Sequence, residues 1–489
     1  MMNVLSTLIT PEKGGKLPVY IQIANQLMGL IKNGTLQSGY RLLSTRQLAA
    51  VLKVHRRTVV QAYDELLAQG WLESQTGNGT FVAKNLPEIR PLPAPTREVP
   101  NRDPLKKAGF RFEKPPHLDR PVLKAGSRLH LDDGFPDPRL APLEDLSRAY
   151  RSQLLHGNSY VRLGYGDTSG TSWLRQELST YLNETRGLKT TATNILITRG
   201  TIMGMYLAAT SLLRPGDCVA IDAPGWFGAT MNVTQAGARV CYVPADEYGM
   251  QVDVLEELCR RQAVRMVYVT SHHQYPTTVA LRPERRIKLL KLAEEFGFVI
   301  FEDDYDYDFH YLSKPLLPLI GADPAGMVLY CGSFTKTISP AFRIGYLVGP
   351  EDIIAHLASL RRIIDRQGDT MLENGIAELL QTGIIQRHLR KSVRIYKQRR
   401  DFFCDLLRTE LRDAVHFQVP DGGMAVWTRF DRRINIAALA ANAAQRDLYF
   451  SNGKVSGYPE EFRNYIRLGF ASSDQGELEE AVKIIKDLL

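Results

Sequence analysis

Apolar residues recur at helical spacing through Val19–Ile31 (Ile21, Ala24, Leu27, Leu30, Ile31), and the run stops at the turn-forming pair Asn33-Gly34. A second, short helix is expected over Thr45–Leu52 with Ser44 as its N-cap, and a third over Arg56–Gln69, closed by Gly70. Trp71-Leu72-Glu73-Ser74 and Thr80-Phe81-Val82 then flank Gln75-Thr76-Gly77-Asn78-Gly79, the pattern of a hairpin with a glycine-rich turn. From about residue 127 the pattern changes. Short apolar strands (Asn194–Thr198, Cys218–Asp222, Met266–Thr270, Val299–Glu302, Met327–Tyr330) alternate with amphipathic helices. This alternation predicts a mostly parallel sheet with helices on both faces. Between the two regions, residues 85–126 hold nine prolines and many charges. Such a stretch cannot bury a core and favours extended chain, with a reach on the order of 120 Å if all of it is extended. The rival reading, a loop lying on the following domain, is expected for parts of it. The boundaries are therefore set at 1–84, 85–126 and 127–489.

The chain has 489 residues, enough for two or three domains, with 44% hydrophobic and 23% charged residues, as in soluble globular proteins. No apolar run is long enough to span a bilayer, and Met1–Thr10 lacks the layout of a signal peptide, so the cytoplasm is the expected compartment and no membrane partner is expected. Cys218, Cys241, Cys259, Cys331 and Cys404 are dispersed with no C-x-x-C pair. They are expected to be separate buried thiols, without a disulfide framework or a zinc site, and no metal is expected elsewhere. The net charge of +8 is placed unevenly: residues 1–84 carry nine Lys/Arg against four Asp/Glu, and residues 85–126 nine against five. A basic small domain beside a near-neutral large one suggests that a polyanion meets the small one, although a solvated basic surface would look the same.

Three helices and a hairpin make a winged helix-turn-helix, an α+β head. Such a head needs a helix whose first side chains reach base edges in the major groove of double-stranded DNA. Arg56, Arg57 and Thr58 stand at that end of the third helix; each arginine would pair with guanine or hold phosphate. Arg41, Ser44 and Arg46 would contact the DNA backbone, and Gly79 would let the wing approach closely. The segments Gly39–Ala49, Val54–Val59, Ala62-Tyr63 and Gly77–Val82 together resemble the GntR-type DNA-binding domain over its whole length. Leu43 stands where that family usually has proline, and His55 where serine is common.

In the large region the strongest motif is Gly332-Ser333-Phe334-Thr335-Lys336, continuing to Arg343. A partly desolvated lysine after a strand suits a Schiff base with a carbonyl cofactor, and a serine three residues before it and an arginine seven after can hold a phosphate. Ile300-Phe301-Glu302-Asp303-Asp304-Tyr305 follows a buried strand, so its acids emerge at the strand's C-terminal end, where open α/β sheets bind ligands. A pyridine cofactor needs a carboxylate against its ring nitrogen and a donor to its phenolate oxygen. Solvated loop acids would be the default for a lone Asp-Asp; the lysine motif about thirty residues on, one strand later, argues against it. Thr198-Arg199-Gly200-Thr201 opens a helix whose N-terminal N–H groups can bind an anion. Trp226, in Ala223-Pro224-Gly225-Trp226, could stack on a ring, although a tryptophan alone is more often core.

Together these motifs resemble the class I/II aminotransferases, fold type I of the pyridoxal-phosphate (PLP) enzymes, over roughly residues 127–489. The combination with a GntR-type head resembles the MocR/GabR-like transcriptional regulators, as do Asp132–Asp137, Tyr165-Gly166-Asp167, His272–Thr277 and Arg467–Phe470. The resemblance implies an α/β PLP-dependent transferase fold with a smaller α+β C-terminal part, and PLP as cofactor. It implies that Lys336 forms the Schiff base, that Asp303 pairs with the ring nitrogen and Tyr305 with the phenolate oxygen. It implies further that Gly200, Thr201, Ser333 and Arg343 hold the phosphate, that Trp226 stacks on the ring and that Arg467 clamps an effector carboxylate. It also implies a homodimer. Ile202 and Met203 replace glutamines common after Gly200, Thr278 stands where glycine is common, and Phe227 stands where a GABA-responsive member offers arginine. The last difference speaks against GABA and leaves the ligand class open. Three functions follow. The first is a regulator responding to PLP or an amino-acid effector, with at most weak transaminase activity. The second is a working aminotransferase with an autoregulatory head, and the third a PLP fold used only to dimerise. The intact head favours the first over the second, and the intact Lys336, Asp303 and Arg343 argue against the third.

Overall fold

The computed structural model describes residues 8–12, 14–15, 17–86, 108–118, 127–158, 160, 163–312, 316–453 and 460–489. The chain divides into two compact units, one up to Phe112 and one from Glu113 onward. Most of the proline-rich stretch lies outside the described residues. Of its described part, Pro116–Leu118 forms a helical turn on the large unit, where His117 and Gln235 are hydrogen-bonded at 2.9 Å.

In the small unit, helices α1 (Val19–Lys32), α2 (Thr45–Leu52) and α3 (Arg56–Ala68) precede strands β1 (Leu72–Gln75) and β2 (Gly79–Val82), which pair antiparallel. Ile23, Leu27, Leu48, Val59, Ala62, Leu66, Leu72 and Val82 form its core, the apolar faces that the helical spacing predicts. Ser44 and Gln47 close a reciprocal capping box at the start of α2. The Tyr63 hydroxyl donates to the Leu43 carbonyl at 2.8 Å and ties α3 to the chain entering α2.

In the large unit, β3 (Leu129–Leu131) comes first. The main-sheet strands follow: β4 (Ile195–Thr198), β5 (Cys218–Ala223), β6 (Arg239–Asp246), β7 (Gly249–Met250), β8 (Val264–Val269), β9 (Val299–Asp304), β10 (Val328–Ser333) and β11 (Gly345–Val348). They form one sheet in the order β4-β11-β10-β9-β8-β5-β6-β7, parallel except for β11 and the edge strand β7. Alternate residues feed the two faces. Val219, Ile221, Met266, Phe301 and Leu329 pack toward helices Thr201–Leu212, Phe227–Gln235 and Glu351–Ile364. Ala220, Val267, Val269, Ile300 and Val328 pack toward helices Val252–Arg261 and Pro283–Phe296. The expected parallel sheet with helices on both faces is therefore present, with the antiparallel β11 wedged between β4 and β10.

The smaller C-terminal part sets an antiparallel sheet of β12 (Val415–Phe417), β13 (Ala425–Phe430) and β15 (Tyr465–Gly469) against helices Ile384–Leu406 and Gln475–Leu488. β14 (Leu448–Phe450) pairs in parallel with β3, so the first strand of the unit joins its last part. One cysteine expectation is corrected. Cys218 and Cys241, on the adjacent strands β5 and β6 with Cα atoms 6.3 Å apart, are joined as a disulfide, while Cys259, Cys331 and Cys404 are free and buried. Strand pairing sets residues from distant positions side by side, which spacing in sequence does not reveal. Among the described residues no helix is long and apolar enough to cross a membrane, and no cluster of ligating side chains is placed to hold a metal.

Candidate cofactor site and DNA-binding face

The ends of β9 and β10 bring the acidic run and the lysine motif onto neighbouring strands, with Cys331 opposite Asp303 in the parallel register. Asp303 is buried, and its Oδ2 accepts a 2.7 Å hydrogen bond from the Tyr268 hydroxyl on β8. Its Oδ1 is buried with no hydrogen-bond partner. Burial pushes the Asp303 carboxyl up to about 7, with the Tyr268 hydrogen bond pulling the other way. The adjacent acid differs. Asp304 accepts from the Tyr330 hydroxyl at 2.6 Å and pairs with His272 Nδ1 at 3.2 Å. Burial alone would raise its pKa, but His272, Arg186 and Tyr330 hold it below the ordinary carboxylate range. Glu302 accepts from Ser271 Oγ and the Leu319 N–H, and Asp306 pairs with His273 at 2.7 Å. Four acids in five positions are thus placed by four different partner sets, and Asp303 presents its free oxygen without a cation on it.

Lys336 is half-buried; its Nζ donates to the Gly134 carbonyl at 2.6 Å and sits 4.4 Å from the centroid of the Phe135 ring. Burial lowers its pKa from the ordinary lysine value, while Asp133 and Asp132 act in the opposite direction. Tyr305 follows the strand end and donates to the His273 carbonyl at 3.2 Å; burial raises the pKa of its phenol. Trp226 caps the helix Phe227–Gln235 and stacks on Tyr268, with centroids 6.1 Å apart and planes at 28°. The indole is thus beside the tyrosine that holds Asp303.

Gly200, at φ +79°, precedes Thr201, the first residue of the helix Thr201–Leu212, and that helix has no side-chain cap. The Arg343 Nη2 donates to the Arg199 carbonyl at 3.0 Å, and a Cβ on Gly200 would lie 2.9 Å from that same nitrogen. A Cβ on Gly345 would meet the Gly200 Cα at 2.7 Å. Ser333 Oγ accepts from the Thr335 N–H at 3.0 Å. Uncapped helix N–H groups, a guanidinium and a hydroxyl converge where only glycine fits, a cradle suited to a phosphate. The residues therefore fit pyridoxal phosphate: a protonated ring nitrogen would supply the partner Asp303 Oδ1 lacks, an amine stands at Lys336, and an anion cradle stands at Gly200.

Arg467, on β15, is buried, donates to the Pro276 carbonyl at 3.0 Å and pairs with Asp133 at 3.0 Å. Burial works against its charge, but Tyr305, Asp133 and Tyr275 more than offset it and raise its pKa. Thr278 takes φ +68°, a conformation that glycine adopts freely and a β-branched residue at a cost. Sequence reasoning missed Tyr268, Tyr330, His272 and Asp133; strand alternation alone could have aimed Tyr268 and Phe301 at the same face.

On the small unit, Arg41, Ser44, Arg46, Arg56 and Arg57 are exposed and Thr58 half-buried. Arg56 Nε lies 3.5 Å from Thr45 Oγ1, so the starts of α2 and α3 adjoin. The Arg41 guanidinium lies over the Phe81 ring at 6.0 Å and beside Gly79, whose added Cβ would lie 3.4 Å from Arg41 Nε. Arg41 thus stands at the wing rather than at α2. His55 is the N-cap of α3, its Nδ1 accepting from the Arg57 N–H at 3.2 Å. The imidazole does the work that a serine hydroxyl would do there.

Two family models match the chain. Residues 136–485 match the family model "Aminotransferase class I and II", and residues 19–82 match "Bacterial regulatory proteins, gntR family". The chain is 28% identical over 481 residues to the probable rhizopine catabolism regulatory protein MocR of Rhizobium meliloti, covering 97% of this chain and 94% of that one. It is 29% identical over 474 residues to the HTH-type transcriptional regulator TauR of Rhodobacter capsulatus, covering 96% of each. Among solved structures, Pyrococcus horikoshii kynurenine aminotransferase in complex with PMP superimposes with a TM-score of 0.67 at 26% identity, over 74% of this chain and 91% of that one.

Proposed function

The chain belongs to the class I and II aminotransferase family and carries a gntR-type DNA-binding head. From that premise we propose that it is a MocR/GabR-type transcription regulator that binds pyridoxal phosphate and reads an effector, PLP itself or an amino acid, through its aminotransferase-like domain. The observation that carries this reading is the coexistence in one chain of an exposed arginine pair at the start of α3 and, in the large unit, the partnerless oxygen of Asp303 with Lys336. A scaffold used only to dimerise would have no reason to keep a buried carboxylate at that cost.

When bound, the cofactor supplies a carbonyl carbon for a primary amine and a ring that withdraws electrons. The chain's residues do the rest. Asp303 holds a proton at the ring nitrogen, with Tyr268 fixing its other oxygen. Tyr305 offers its hydroxyl toward the phenolate side, and Trp226 covers the ring. Gly200, Thr201, Ser333 and Arg343 hold the phosphate. Lys336, with its proton affinity lowered by burial, is the amine at the carbonyl carbon, and Arg467 holds an effector carboxylate. The large unit leaves Tyr165, Ile202 and Ile363 exposed, which supports a second copy covering them and hence two heads on two half-sites. Effector binding shifts DNA affinity only to the extent that it favours one arrangement over another.

The test is binding of labelled DNA from upstream of its own gene, with and without PLP, at fixed salt. A changed affinity or footprint is expected and makes the cofactor part of the signal. Equal binding assigns the signal to a further amino acid. If this DNA does not bind, another operator is tried before the aminotransferase reading takes the lead.

A further inference from the structure

We infer that Asp133 is a specificity-determining residue of the effector site: its carboxylate already occupies Arg467, and an effector's carboxylate must displace it. The inference rests on the reading of Arg467 as the effector clamp.

Asp133 Oδ1 lies 3.0 Å from Arg467 Nε, and its Oδ2 accepts from the Tyr275 hydroxyl at 3.0 Å. The Tyr275 ring lies 4.8 Å from the Arg467 guanidinium, so arginine, tyrosine and aspartate adjoin one another. The pair is asymmetric. The Arg467 side chain is 4% exposed and fixed by the Pro276 carbonyl, whereas that of Asp133 is 47% exposed. The ion pair is also misaligned: Arg467 Nε has no hydrogen-bond partner, so a better-oriented acceptor would gain what Asp133 leaves unmade. Gly134, at φ +81°, follows Asp133; its carbonyl takes the Lys336 ammonium, and a Cβ there would lie 3.3 Å from Arg467 Nη2. Asp133 therefore lies on Arg467 on the exposed side, next in the chain to the residue whose carbonyl holds Lys336.

A half-exposed carboxylate seated on a fixed guanidinium lowers the fraction of molecules ready for a ligand's carboxylate, and the apparent affinity falls by that fraction. An amine without a carboxylate does not meet this competition. The native site should thus discriminate weakly between an amino acid and the amine that lacks its carboxylate.

The experiment uses the full chain reconstituted with PLP and follows the visible absorbance during titration with L-norvaline and with butylamine. In the native protein the two apparent affinities should agree within about threefold. Because Asp133 also acts on Lys336, which both ligands meet, the readout is the ratio: Asp133→Asn should tighten norvaline relative to butylamine by about five- to tenfold. Adding Arg467→Ala to Asp133→Asn should erase the gain. If Asp133→Asn leaves that ratio unchanged or shifts it toward butylamine, the inference fails. Absence of any visible band with PLP would overturn the cofactor reading itself. A normal band, with norvaline indifferent to Arg467→Ala in both backgrounds, would overturn the clamp and the inference with it.

Discussion

Replacing Asp303 with asparagine should have opposite effects on the cofactor-free protein and on cofactor binding. Burial raises the carboxyl from its ordinary 3.8 to about 7. A carboxyl with a raised pKa holds its proton more tightly when folded than when unfolded. Its cost is therefore absent below pH 4, grows as pH rises between 4 and 7, and is complete above that. At 1.36 kcal/mol per pH unit the penalty at pH 8 is about 4 kcal/mol. Asparagine keeps the shape, carries no charge and still accepts the Tyr268 hydroxyl. Without PLP, the variant should gain up to about 4 kcal/mol in thermal or denaturant unfolding at pH 8 and almost nothing near pH 4. With PLP the order reverses. A charge-assisted hydrogen bond to a protonated ring nitrogen contributes roughly 1.5–3 kcal/mol, so the variant should bind PLP about ten- to a hundredfold more weakly in a visible-absorbance titration. If the cofactor-free variant gains no stability between pH 5 and 8, or if PLP binds both proteins equally, Asp303 is not the carboxylate that awaits the ring nitrogen.

Lys336→Ala should abolish the visible band of lysine-bound PLP; a retained band would move the Schiff base elsewhere. Arg56→Ala with Arg57→Ala should weaken operator binding and lower the slope of log affinity against log salt by about two if both arginines neutralise phosphates. An unchanged slope with relaxed sequence preference would make them base readers, and unchanged binding would place the reading surface elsewhere.

The elements were legible because their signals are local. α2 begins and ends at the predicted residues because Ser44 and Gln47 cap it and Leu48 and Ala49 face the core. The sheet edge that carries the candidate site was legible too, since β9 and β10 are strong apolar strands that end in chemically distinctive residues. What was not legible depends on which strands lie side by side. The run Asp303-Asp304 does not say which acid is committed; that is decided by Tyr268 and Tyr330 arriving from β8 and β10. The Asp133–Arg467 pair joins residues more than 300 positions apart, and Cys218–Cys241 meets only because β6 lies next to β5. His55, a departure from the family's serine, turned out to keep the capping chemistry with a different acceptor.

The acids at the end of β9 differ in how their charge is met. Burying a carboxylate is tolerable when a cation or several donors meet it, and Glu302, Asp304 and Asp306 each have such partners. Asp303 has no cation: Tyr268 donates to one oxygen, Thr201 lies alongside, and Oδ1 makes no well-formed hydrogen bond. Asp222 on β5 is likewise buried with a partnerless oxygen, so what sets Asp303 apart is its place at the strand end beside the lysine motif. On the proposed reading, a cationic ring nitrogen delivered to Asp303 would relieve this cost, and a ligand that binds only the folded state stabilises it according to its affinity and concentration. On that reading, cofactor occupancy would change the stability of the β9 and β10 ends that lead to Tyr305 and Lys336. A regulator that signals through its cofactor site needs a dependence of this kind, in which ligand-free and ligand-bound states differ by several kcal/mol at one buried atom.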